Sequence, residues 1–277
     1  MLDQAVRLRE AVNEQTKVLP VGKLPHKLTI VSGKGGVGKS NIALNLAIAL
    51  RRENGRVLLI DGGVNHSNLD ILCGVSPAYR LFDVIDGVSE LKDAIAEITP
   101  NVFLLAGTSD GRLKKLTSGN ATMLLREVSQ TEPVFQYAVI DTDAGIIQES
   151  ISLALLSDEV LVVSTPEPTA VMDAYVLVKA LKRINSSVDL KLLINNARSA
   201  KEAEEVKTKF DLVSERFLSL KIGYAGFIPS DECMEQAVSV QTPLAQEFPD
   251  SPSSQAIKVI AEKIVSRLKA GPYGTKK

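Results

Sequence analysis

The chain has 277 residues, with 32 Lys and Arg against 33 Asp and Glu and a net charge of −1 at pH 7. That length suits one large α/β domain or two small ones, and 45% hydrophobic content supplies a sizeable core. The even charge balance argues against bulk DNA binding, which needs a basic excess. Cys73 and Cys233 lie far apart and read as ordinary reduced thiols, and His26 and His66 are isolated, so no metal-ligand spacing is present.

Residues 1–14 have Leu2, Val6 and Val12 near helical spacing with charges between them, which predicts a short amphipathic helix. The start is charged and lacks the apolar stretch of a signal peptide. No run reaches the length of a membrane span, so a cytoplasmic chain is expected. Residues 15–26, with Pro20, Gly22 and Pro25, read as a linker, residues 27–270 as the main domain and residues 271–277 as a tail. From Lys27 onward, strand and helix patterns alternate. Leu28–Ser32, Val57–Ile60, Asn101–Leu105, Tyr137–Ile140, Glu159–Ser164, Leu190–Ile194 and Tyr224–Ile228 predict strands. Asn41–Arg52, closed by Asn54-Gly55, and the stretches Thr169–Arg183 and Ala200–Phe217 predict helices. Continuous apolar strands alternating with helices imply an α/β fold, with a mainly parallel central sheet covered on both faces. Ligands then sit at the carboxyl ends of the strands.

One motif carries chemistry directly. Gly33-Lys34-Gly35-Gly36-Val37-Gly38-Lys39-Ser40 follows a predicted strand, opens a predicted helix and fills G-x-x-x-x-G-K-[ST] at every fixed position. Glycines let backbone N–H groups turn inward around phosphates, and a helix beginning near Gly38 aims its positive end at the same anion. Lys39 adds a point charge for the β- and γ-phosphates, and Ser40 a hydroxyl for Mg²⁺. A phosphate-binding P-loop for ATP and Mg²⁺ is therefore expected.

The second lysine, Lys34, makes K-G-G-V-G-K-S resemble the deviant P-loop of the MinD/ParA family, a branch of the P-loop NTPases. The resemblance runs from about residue 27 to 270. It implies that Lys34 reaches across a homodimer interface to the partner's nucleotide, where the alternative is a solvated loop lysine. It also implies that Asp141, in Asp141-Thr142-Asp143-Ala144-Gly145, holds Mg²⁺ through water, with Ser40 and Asp61 as the other metal-side groups. Asn195, at the predicted end of its strand, would read adenine, and Ile228-Pro229-Ser230-Asp231 resembles the family's I-P-x-D, whose backbone lines the base pocket.

Two positions depart from that family. After Val57–Asp61 the family carries D-x-D; Asp61, Asn68, Leu69, Asp70 and Gly74 fit the pattern here, but Gly63 replaces the second carboxylate. Glycine can neither orient nor deprotonate a water, and losing such a group typically costs about 10²- to 10⁴-fold in rate. Asp143 stands where glycine is usual. It is the candidate for a substitute carboxylate, although its charge beside a γ-phosphate is unfavourable unless Mg²⁺ or a lysine offsets it. The resemblance thus implies ATP binding and dimerisation with slow or absent hydrolysis.

The N-terminal Asp3-Gln4-Ala5-x-x-Leu8-Arg9 resembles the D-Q-A-x-x-L-R motif of the flagellar-number regulators of this family, the FlhG/YlxH type. The resemblance implies that this helix docks on a signal-recognition-type GTPase, FlhF, and stimulates it, with Gln4 positioning water. Flagellar C-ring or regulator proteins are further partners. The alternative is a simple packing helix. The competing functions are a non-hydrolysing nucleotide-dependent scaffold and a ParA-type partition ATPase. Ser254–Ala270 has Ile257, Ile260, Ala261, Ile264 and Leu268 on one face. It reads as the last helix of the domain rather than a membrane anchor, so membrane contact is weak or indirect. His66, and the basic cluster Arg112, Lys114 and Lys115, read as solvated loop residues.

Overall fold

In a computed structural model of the chain, residues 24–51, 55–64, 67–108, 115–132 and 134–270 are described. The expected N-terminal helix, most of the linker, His66, Arg112, Lys114 and the tail fall outside these residues. An eight-stranded sheet runs in the order β3-β4-β2-β5-β1-β6-β7-β8. Its strands are β1 His26–Val31, β2 Val57–Asp61, β3 Ile95–Thr99, β4 Val102–Leu105, β5 Tyr137–Asp141, β6 Glu159–Ser164, β7 Leu190–Ala197 and β8 Gly223–Pro229. All pairings are parallel except that of β3 with β4.

The helices of the described residues are α1 Lys39–Leu50, α2 Leu69–Cys73, α3 Leu81–Ile85, α4 Leu91–Ala94, α5 Ser118–Gln130 and α6 Gln148–Leu155. They continue with α7 Pro168–Ile184, α8 Ala200–Leu218, α9 Glu232–Ser239, α10 Leu244–Glu247 and α11 Pro252–Ala270. Successive strand side chains point to opposite faces, and the core divides accordingly. Val57 and Leu59 join Ile42, Leu46, Ile260 and Ile264 of α1 and α11 on one face. Leu58 and Ile60 join Leu124 and Val128 of α5 and Leu153 of α6 on the other. Farther along the sheet, Val160 and Val162 pack with Leu177 and Phe210 of α7 and α8. Burial on both faces is why these strands read as unbroken apolar runs.

The departures from the sequence reading have local causes. The edge strand β3 is not evident in IAEIT because its residues are only half-buried or exposed, which gives neither an apolar run nor a clean alternation. β7 does not end at Asn195 but continues to Ala197, with Asn196 in the left-handed region at φ 59°. α1 ends at Leu50, where Arg51 turns extended; Arg52 and Asn54 of the expected helix end lie outside the described residues. The last helix packs on α1 and β8, burying Ile257, Ile260, Ala261 and Ile264, whereas Leu268, on the same stripe near the helix end, is 40% exposed. No helix among the described residues is long and apolar enough to cross a membrane.

Replacing Ile264, which is fully buried, with alanine is expected to lower the unfolding free energy by about 2–5 kcal/mol. Leu268→Ala is expected to stay within about 0.5 kcal/mol of the native chain. Urea unfolding of both variants checks this, and equal losses would place the helix differently.

Candidate functional site

The strand order puts the carboxyl ends of β2, β5, β1, β6 and β7 side by side, and the loop between β1 and α1 lies at their centre. Gly38 (φ 92°) precedes Lys39, the first residue of α1, and Gly36 is also left-handed (φ 76°). Both values are in the region that glycine enters without strain. Close packing fixes the loop further. A β-carbon on Gly33 would fall 2.3 Å from the backbone of Asp173 in α7, and one on Gly38 would fall 2.4 Å from Asn195 Nδ2. Around Gly35 and Gly36 there is only open space. The loop is therefore clamped at its ends and clear at its crest, as a backbone that must approach a ligand requires.

Two cavities flank the loop. One, about 490 Å³, lies between Lys34–Val37, the β6–α7 turn at Thr165–Pro168, Asn196, Arg198, Glu202 and Ser230. The other, about 680 Å³, takes in Lys39, Ser40, Gly63, Asn68, Asp141 and Asp143. Together they offer a polar nucleoside-sized space on one side of the glycines and a cationic and carboxylate-lined space on the other.

On the second side the charges are buried. Asp61 is 2% exposed and Asp141 is 4% exposed. Burial and the neighbouring Asp141 push the Asp61 carboxyl up to about 7, against hydrogen bonds from the Leu69 and Gly63 N–H groups. Burial pushes Asp141 up to about 6, opposed by the Ser40 hydroxyl and the Lys39 ammonium. Burial also lowers the Lys39 ammonium below its ordinary value, against the pull of Asp141 and Asp143. Asp141 Oδ1 is buried with no hydrogen-bond partner among the described residues. An orphaned carboxylate oxygen beside a serine hydroxyl fits a hard divalent cation, which takes oxygen ligands and retains waters. Ser40 and Asp141 are thus the pair that can hold Mg²⁺.

The remaining predicted residues fall into place unevenly. Lys34 is tied within its own chain, its ammonium pairing with the Glu167 carboxylate and donating to Thr169 Oγ1 at 3.2 Å. Asn195 donates its side-chain N–H to the Val37 carbonyl at 2.8 Å and so braces the loop; its neighbour Asn196 lines the first cavity. Asp231 caps α9 by accepting the Cys233 N–H and also accepts the Ser253 N–H. Burial opposes its charge, but the hydrogen bonds from Ser253, Cys233 and Ser251 prevail and hold the carboxyl below its ordinary value. The Pro229 carbonyl accepts the Ser253 hydroxyl, and Ser230, between the two, faces the cavity. Sequence reasoning did not single out Asn196 or Arg198, and it took Glu202 for part of a solvated charge run on its helix. The available signal was the place of Asn196 and Arg198 at the carboxyl end of β7.

The family model described as "ParA: NUBPL iron-transfer P-loop NTPase" matches residues 23–265. The chain belongs to the ParA family of P-loop NTPases. Within it, the Antiactivator FleN of Pseudomonas aeruginosa is 36% identical over 258 residues, covering 89% of each chain. The Flagellum site-determining protein YlxH of Helicobacter pylori is 33% identical over 250 residues, covering 88% of this chain and 83% of that one. The cell division ATPase MinD of Pyrococcus furiosus superposes with a TM-score of 0.74 at 26% identity, over 87% of this chain and 99% of that one. As a ParA-family P-loop NTPase the chain is a nucleotide-binding protein, with the mainly parallel α/β sheet anticipated from its strand pattern.

The raised carboxyls set a pH dependence. Between about pH 4 and 7 folded Asp61 keeps a proton that the unfolded chain has released, so its contribution to stability falls as pH rises through that window. In nucleotide-free and metal-free protein, the stability of the native chain relative to Asp61→Asn is expected to decline from pH 4 to 7 and then level off. Chemical denaturation at stepped pH checks this; a difference that grows with pH would contradict it.

Proposed function

We propose that this chain is an ATP-driven monomer–dimer switch that controls flagellar number or placement. The observation that carries it is the clamped loop Gly33–Ser40 with two lysines, one on each side of its glycine crest. Its amides, from Gly33 through Lys34, Gly35, Gly36, Val37 and Gly38 to Lys39 and Ser40, would ring the phosphates. Lys39 would neutralise them, and Ser40 with Asp141 would hold Mg²⁺, backed by Asp61. Bound there, Mg²⁺ would offset the charge between the β- and γ-phosphates. Asn195, Pro229 and Asp231 would act at the base by holding the walls that present Asn196 and Ser230. Lys34 would leave Glu167 to reach the nucleotide of a second subunit, so that the ion pair marks the undimerised state.

The flagellar reading rests on FleN and YlxH, two relatives that span nearly the whole chain, together with the D-Q-A-x-x-L-R pattern of residues 3–9. In this reading Asp3, Gln4, Ala5, Leu8 and Arg9 contact an FlhF-type GTPase and accelerate it, tethered through residues 15–26. C-ring or regulator proteins are reached through the ATP-bound dimer, and any position at the inner face of the membrane is held through such partners. Gly63 favours a second reading, a scaffold of the same fold that binds ATP but turns it over slowly or not at all. A DNA-partitioning role is disfavoured by the even charge balance.

Size-exclusion chromatography is expected to show a dimer with Mg-ATP and a monomer with ADP, and Lys34→Ala is expected to remain monomeric in both. A dimer that forms without nucleotide, or that survives the substitution, would refute the switch. In GTPase assays with a purified FlhF-type protein, the chain is expected to raise turnover about a hundredfold, the low end for a well-placed water-positioning group. Gln4→Ala is expected to remove the effect while leaving ATP binding unchanged. No stimulation by the native chain would remove the assignment to this branch.

A further inference from the structure

Three buried carboxylates meet at the carboxyl ends of β2 and β5, and each has different neighbours. Asp61 Oδ1 accepts the Gly63 N–H and Oδ2 accepts the Leu69 N–H, both at 3.3 Å, so this group is directed at the backbone of the β2–α2 loop. Asp141 adjoins the Ser40 hydroxyl and keeps an orphaned oxygen, the arrangement suited to a cation. Asp143 comes from the β5–α6 loop, is 8% exposed and lines the phosphate-side cavity together with Lys39, Ser40 and Gly63. Its Oδ2 accepts the Val64 N–H at 2.9 Å, across 79 positions of sequence.

That hydrogen bond places a carboxylate beside Gly63, the loop position at which the family's D-x-D pattern carries its second carboxylate. The loop bearing Asp143 is itself fixed. The Thr142 hydroxyl donates to the Ile30 carbonyl, the Gly145 N–H to the Ser32 carbonyl, and the Ser150 hydroxyl to the carbonyl of Asp143 itself. Lys39 is close enough to interact electrostatically with Asp143, so the charge is partly offset next to an incoming polyphosphate.

We infer that Asp143 is the carboxylate that orients the attacking water, supplied from the β5–α6 loop and held against the β2–α2 loop by the Val64 N–H. This rests on the nucleotide site proposed above. In the step it serves, the water oxygen bonds to the γ-phosphorus while the bond from that phosphorus to the β–γ bridging oxygen breaks. The electron pair leaves on ADP, and the proton lost by the water departs with the phosphate product or to solvent. Asp143 accepts a hydrogen bond from the water and so directs a lone pair at phosphorus; the chain would hydrolyse ATP despite Gly63.

The test is single-turnover hydrolysis of Mg-ATP beside the affinity for a fluorescent ATP analogue. Asp143→Asn keeps the size and an acceptor for the Val64 N–H but loses the charge. It is expected to slow hydrolysis about a hundredfold or more, the low end for a lost acid–base group, with affinity within about threefold. Adding Gly63→Asp to that variant restores a carboxylate from the opposite loop and is expected to recover much of the rate. Two results would overturn the inference: a native rate in Asp143→Asn, or a native chain that binds Mg-ATP without hydrolysing it. A native chain that fails to bind Mg-ATP would instead bring down the nucleotide site on which the inference stands.

Discussion

The structure depends on a backbone loop that is pinned at both ends and bare in the middle. Gly33 fits against α7 only because it lacks a β-carbon, and Gly38 fits against Asn195 for the same reason. Asn195 then holds the Val37 carbonyl from near the end of β7, so that this carbonyl faces the protein, and the crest at Gly35 and Gly36 stays open. Every other feature of the site is arranged around that loop. The sheet order brings five strand ends to it, and the helix that follows starts at Lys39 with its positive end toward the phosphate position.

Electrostatics give the loop its counterpart. Burial pushes both Asp61 and Asp141 toward their neutral forms. A divalent cation beside them reverses that balance, because a nearby positive charge favours the ionised forms. Burial likewise lowers the Lys39 ammonium below its ordinary value. Burial thus disfavours the charged forms of all three groups, and Mg²⁺ with a polyphosphate would favour those forms together. Lys34, in contrast, is at the surface and already has a partner in Glu167, so engaging it elsewhere means exchanging one ion pair for another. An exposed pair contributes little, which makes that exchange cheap enough to serve as a switch.

Much of the fold was legible because its strands are buried on both faces. VLLID, YAVID and EVLVVS leave little alternative to strands in a covered parallel sheet. The P-loop was legible because its chemistry is local and contiguous. What the sequence hid was non-local or too short to carry a period. β3 pairs only at the sheet edge. The helices α2, α3 and α4 span four or five residues each, too few for a helical pattern. The contact of Asn195 with Val37 joins residues 158 apart, and that of Asp143 with Val64 joins residues 79 apart. A substitution such as Gly63 is visible in the sequence, but whether another carboxylate stands near it depends on two loops meeting in space.

Isothermal titration calorimetry of the full chain with Mg-ATP measures whether the loop takes up a triphosphate. A saturable heat of binding is expected for the native protein, and it is expected to vanish in Lys39→Ala, whose point charge at the phosphates is gone while the fold remains. A folded native chain that gives no heat with Mg-ATP, or a Lys39→Ala chain that binds as well as the native one, would contradict the account.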